Sequence, residues 1–226
     1  MTPDPDPRDG HQVMLAEKKY EEAHKYASEI SKQAASSHVV NGPGKALRGL
    51  GRLDEAKIAL KKSADTEWRN PRFACDFGDL FFEDGDYVNA QAFYAKGIEA
   101  SSDHVRSLVG RARAQIARGQ KVKEASDTLD ELMKRPAEEM SPKLKALLLT
   151  AMSDLRGFEQ KFEEAVKLAD EAIAAYPTYP WAHFAKGKAL AMQKNVTAAA
   201  SFDKALELDR YVPEFYYTGY NAMLEA

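Results

Sequence analysis

Five histidines, one cysteine and three adjacent glutamate pairs are the residues of this chain most able to do chemistry. Their spacing argues against each. His11, His24, His38, His104 and His183 never fall at the separations that place two imidazoles on one metal, as in H-E-x-x-H. There is no P-loop and no G-x-G-x-x-G, and no Ser, Cys or His sits in a nucleophile motif. A single cysteine, Cys75, excludes an intramolecular disulfide and a cysteine-based metal site; it reads as a small, partly buried helix residue rather than a reactive thiol. Glu21–Glu22, Glu138–Glu139 and Glu163–Glu164 resemble paired carboxylates, but neighbours on a helix point in different directions, so they read as solvated faces. The expectation is a non-enzymatic protein with no metal and no cofactor.

Composition narrows the class further. With 30% charged residues and a formal net charge of −3, the chain is too balanced to be committed to nucleic acid or to an anionic membrane. No apolar run approaches the roughly 18 residues of a membrane span, so no membrane insertion is expected. The opening residues, MTPDPDPRDG, lack the basic and apolar regions of a secretory signal. Residues 1–10 are expected to be a disordered Pro/Asp-rich tail, and the setting reducing and cytoplasmic.

The elements that would position any functional side chain follow from an internal repeat. Ala23, Ala56, Ala90, Ala125, Ala165 and Ala198 are separated by 33, 34, 35, 40 and 33 residues. Each is followed by small or apolar residues four and seven places on, one face of a helix. Tyr20, Leu53, Tyr87, Val122 or Phe162 stands three places before the first five. A small residue stands twelve before it at Gly44, Gly78 and Ser153, and one place off at Ala112 and Gly187. Those offsets predict one extra residue in the fourth turn and one fewer in the sixth. The best-formed copy is 71–104, with Phe77-Gly78, Phe81, the Gly85-Asp86 turn, Ala90 and Tyr94.

This pattern resembles the tetratricopeptide repeat, W-x2-L-G-x2-Y, then A-x3-F, then P, over 34 residues. The resemblance implies an all-α, right-handed superhelical solenoid of antiparallel helix pairs over residues 11–226. Its repeats would fall near 11–36, 37–70, 71–104, 105–139, 146–179 and 180–212, with a C-terminal capping helix at 213–226. Asn41-Gly42-Pro43-Gly44 should shorten the first helix of the second copy to a start near Pro43. Pro136 and Pro142 should bracket a longer loop, with Ser141-Pro142 opening the next helix.

In that family the first helices of successive repeats line a concave groove. Carried over position by position, the groove would present Phe82, Val109, Arg113, Ile116 and Phe158, then Trp181, Phe184 and Lys188, with Tyr216 and Tyr220 from the terminal helix. Its C-terminal half would be aromatic, which reads as ordinary core packing between repeats or as an anchor site for an apolar peptide or helix. Copy three is acidic (Asp76, Asp79, Glu83, Asp84, Asp86) and copy four basic (Arg106, Arg111, Arg113, Arg118), which reads as pairing between adjacent helices. The family's chaperone-binding subtype grips a terminal carboxylate with Lys and Asn, then Asn, then Lys and Arg. Here the corresponding positions carry Asn41 and Lys45, then Asp76, then Arg106 and Gly110, so that clamp is absent.

The resemblance implies a protein–protein interaction scaffold or adaptor that binds a peptide or helix of a protein partner. Two alternatives stand beside it. One is an assembly subunit or homodimer docking through the apolar C-terminal helix, and the other a regulatory module of a longer signalling protein.

Overall fold

Several of the described helices begin at a proline or a polar cap. In a computed structural model, residues 42–66 and 69–225 are described, together with Glu21, Glu22 and Lys25. Among the described residues there are 11 α-helices and no strand. They alternate as pairs: α1 Gly42–Gly49 with α2 Leu53–Thr66, α3 Pro71–Glu83 with α4 Tyr87–Ala100, and α5 Val105–Ala117 with α6 Val122–Met133. Then come α7 Pro142–Phe158 with α8 Phe162–Ala175, α9 Pro180–Met192 with α10 Ala198–Leu208, and finally α11 Pro213–Glu225. The Pro/Asp-rich tail and, apart from Glu21, Glu22 and Lys25, the expected first copy lie outside the described residues.

Prolines at the first turn and polar caps set the starts. Asn70 accepts the Arg72 amide and Asp86 the Asn89 amide, each at 3.1 Å. α1 is short, 8 residues, and starts at Gly42, as the Gly-Pro content requires. The proline-bracketed stretch forms a short 3-10 turn, Ala137–Glu139. Ser141 then caps α7, its hydroxyl accepting the Leu144 amide, with Pro142 in the first turn.

All five turns inside the pairs close alike. The amide just after a left-handed residue reaches five residues back: Arg52 to Leu47, Asp86 to Phe81, Gln120 to Gln115, Lys161 to Arg156 and Asn195 to Leu190, at 2.8–3.0 Å. That left-handed residue is glycine in the first three turns (Gly51, Gly85, Gly119) but Gln160 and Lys194 in the last two. The turn lengths vary as the spacing predicts. Ala90 and Ala165 stand seven residues beyond Glu83 and Phe158, Ala125 eight beyond Ala117, and Ala198 six beyond Met192.

Five marker alanines, Ala56, Ala90, Ala125, Ala165 and Ala198, are buried where paired helices meet. The small residue of a first helix receives the large residue four places after the marker. A Cβ on Gly44 would strike Leu60, one on Gly78 the Tyr94 ring, and one on Gly187 the Phe202 ring. Tyr94 is also covered by Gly110 of the next repeat, so one ring locks two units together.

First helices pack on their own partner, on the second helix of the preceding repeat and on one another, forming the inner layer. The array curls until its two sides meet. Phe82 on α3 lies 5.1 Å, centroid to centroid, from Trp181 on α9. Arg48 on α1 forks onto Glu83 and also reaches Asp209, before α11, at 2.9 Å. The terminal helix has an apolar face because Phe215 is buried against Trp181 and Phe184.

Candidate functional site

The inner surface is divided by charge and by aromatic packing. In its first part, Asp76 on α3 is bound by Lys45 on α1 and by Arg106 on α5, both at 2.7 Å. Arg106 also holds Asp79. Asp79 accepts the Tyr94 hydroxyl at 2.6 Å. Burial works against ionising Asp76, but Arg106 and Lys45 outweigh it and hold the carboxyl below the usual range. Cys75 is buried beside this network, and burial pushes its thiol far up, as expected of a packing residue. Pairing between copies three and four is therefore real but incomplete. Glu83 turns back to Arg48, Arg113 goes forward to Asp154, and Arg118 donates to Gln91 at 2.7 Å.

In the second part the inner face opens into a cavity of about 450 Å³ among α3, α5, α7, α9 and α11. Phe82, Trp181 and Phe184 form its wall, Ile116 and Phe162 extend it, and Phe158 and Met192 stand at the rim, 50% and 62% exposed. Arg113 lies against two adjoining rings, its guanidinium carbon 4.6 Å from the Phe82 centroid and 4.7 Å from that of Trp181. Its Nε donates to Asp154 at 3.0 Å. Lys188 donates to the other Asp154 oxygen at 2.7 Å and lies over the Phe184 ring. Burial disfavours the Asp154 anion, but Lys188 and Arg113 prevail and keep its pKa depressed. Glu214 accepts the Thr218 hydroxyl at 2.7 Å at the α11 side. Across from it, burial first and the Glu214 carboxylate second push Tyr87 upward.

Of the ten groove positions expected from the sequence, Phe82, Arg113, Ile116, Phe158, Trp181, Phe184 and Lys188 line this one cavity. Val109 is fully buried in the core between α5 and α7 and does not line it. Tyr216 is half exposed and outside the lining, and the Tyr220 side chain lies outside the described residues. Asp154 and Glu214 line the cavity but stand outside the expected ten. The sequence does carry a signal for Asp154. Asp79, Arg113, Asp154 and Lys188 occupy the same position on four successive first helices and alternate in sign.

Among the described residues no group of three or more His, Cys, Asp or Glu is placed to hold a metal. No described helix is long and apolar enough to cross a membrane.

The comparisons with known proteins agree with this geometry. The family model for the tetratricopeptide repeat matches residues 150–213, from within α7 to the start of α11. Residues 150–213 carry tetratricopeptide repeats. Its solenoid is similar to that of a thermophilic tetratricopeptide protein from Thermus thermophilus, at 17% identity over 84% of this chain and 100% of that one, with a TM-score of 0.60. A tetratricopeptide repeat protein from Parabacteroides merdae is similar at 14% identity over 97% of this chain and 89% of the other, TM-score 0.59. A chain of the APC/C hetero-tetramer Cut9–Hcn1 reaches a TM-score of 0.70 at 13% identity, over 96% of this chain but 42% of that one. No curated protein matches by sequence. At these identities the tetratricopeptide likeness is one of fold.

Proposed function

We propose that this protein is a partner-binding scaffold, and that its tetratricopeptide solenoid receives a large apolar side chain of a partner peptide or helix in the cavity between α3, α5, α7, α9 and α11. The observation that carries this reading is the aromatic cavity itself. It has rigid buried walls and an exposed apolar rim at Phe158 and Met192, the arrangement in which a few anchors dominate affinity. The Cut9–Hcn1 chain, similar in fold, belongs to a hetero-tetramer, which supports the same reading. Docking through α11 has less to use, because Phe215 is already buried within the chain and Tyr216 is the exposed aromatic among that helix's described side chains.

The walls and the rim must be tested differently. Trp181 and Phe184 are buried, so truncating them would damage packing as well as binding. Phe158→Glu and Met192→Glu change only exposed positions. A bead-displayed hexapeptide library, acetylated and amidated at its ends, should yield wild-type binders rich in large apolar residues. Each rim variant, with an unchanged thermal midpoint, should bind those peptides at least about tenfold more weakly. Binders that tolerate both variants would place recognition elsewhere.

A further inference from the structure

Arg113 is 5% exposed, and its two terminal nitrogens have no partner among the described residues. Only Nε is bonded, to Asp154, and the planar group packs against both the Phe82 and Trp181 rings. A buried guanidinium ordinarily has its donors satisfied, because each stranded donor is costly. Here the free fork belongs to the cavity lining. Other polar groups of the wall are already engaged. Ser153 donates to the Ala165 carbonyl at 2.8 Å, and Lys188 is bonded to Asp154. Arg113 and Lys188 share Asp154, and Glu214 is the second carboxylate of the lining. Glu214 makes no ion pair with either cation.

Two parallel N–H donors on a rigid plane match a carboxylate, and a lining that already holds two carboxylates accommodates one further single charge better than a doubly charged phosphate. We propose that the partner segment carries an aspartate or glutamate next to its large apolar residue. The acidic side chain sits on the terminal nitrogens of Arg113, and the apolar side chain rests against Phe158 and Met192. Phe82 and Trp181 hold the fork in place before the ligand arrives, so little order is lost on binding. This inference rests on the cavity being the partner site, and it adds the chemistry of the segment that fits.

The test is a double-mutant cycle on peptides selected from the end-blocked hexapeptide library. In wild-type protein, changing the selected Glu to Gln should weaken binding about tenfold or more. In Arg113→Gln the same change should have almost no effect. Arg113→Lys keeps a cation beside Asp154 but lacks the fork, so it guards against a folding defect and should also lose most of the preference. A second library with free C-termini separates the two sources of a carboxylate. Acid preference that appears only as a terminal carboxylate overturns the side-chain assignment. Equal loss from Glu-to-Gln in wild type and both variants overturns the role of Arg113. Apolar binders sensitive to Met192→Glu but indifferent to acid overturn this inference and leave the scaffold reading standing. A library with no binders overturns both.

Discussion

Asp76 on α3 and Asp154 on α7 both stand on inner helices, and each lies between two cations. Their surroundings differ in one respect that matters. At Asp76, Arg106 uses one terminal nitrogen on Asp76 and the other on Asp79, while the Tyr94 hydroxyl donates to that second carboxylate. At Asp154, Arg113 contributes only Nε and keeps its fork. The first arrangement consumes its own hydrogen-bonding capacity and holds adjacent repeats together. The second supports an open cavity with donors left over. Tandem repeats of one fold thus differ in how many donors one arginine leaves unused.

Three substitutions test that contrast. The largest effect should come from Trp181→Ala, which removes a wall of the cavity, one ring against Arg113 and the contact to Phe82. Thermal or urea unfolding should show a loss of about 3–5 kcal/mol. A loss under about 1 kcal/mol would mean that the two sides of the curled array do not meet as described. Arg106→Met should cost less, about 1–3 kcal/mol, because Lys45 remains on Asp76. Its pH dependence carries the information. Asp76 is depressed in the folded state, so its contribution is present above the ordinary value of 3.8 and lost as pH falls through the lower folded value. The gap between wild type and Arg106→Met should therefore be full at neutral pH and shrink below about pH 3.8. A gap unchanged at about pH 3 would assign the cost to packing instead. The smallest effect should be a gain. Gln160→Gly relieves a left-handed backbone at an exposed turn and should stabilise by about 0.5–1 kcal/mol, since glycine removes the strain but adds unfolded-state entropy. Destabilisation at that position would show that the glutamine side chain contributes to the turn.

The pairing of helices, their caps and even the turn-length slips could be read from the sequence because they depend on neighbours close along the chain. Ala90, Gly78 and Tyr94 have one arrangement that packs, and it repeats. Ser141-Pro142 starts a helix for local reasons. The inner face was half legible. The stripe from Phe158 to Lys188 falls at the end of the array where the cavity opens. Which of those side chains are wall, rim or core depends on how tightly the array curls, and that is set by contacts between repeats far apart. Phe82 meeting Trp181 is such a contact, and no spacing announces it. The same holds for Val109, which shares its helix with Arg113 but faces α7 rather than the cavity. Phe215 made the terminal helix resemble an interface, and its burial against Trp181 accounts for that apolar character within the chain.

Arg48 has a consequence for how the molecule comes apart. In a linear array each unit touches only its neighbours, and loss of structure starts at either end and spreads inward. Arg48 and Asp209 are 161 residues apart, yet they share a hydrogen bond, and the Tyr211 ring stands against Gly51 beside them. The earliest and latest described pairs therefore support each other, and neither behaves as a free end. The topology of interactions is a circuit rather than a line, and opening it at one point removes a neighbour from two distant segments at once.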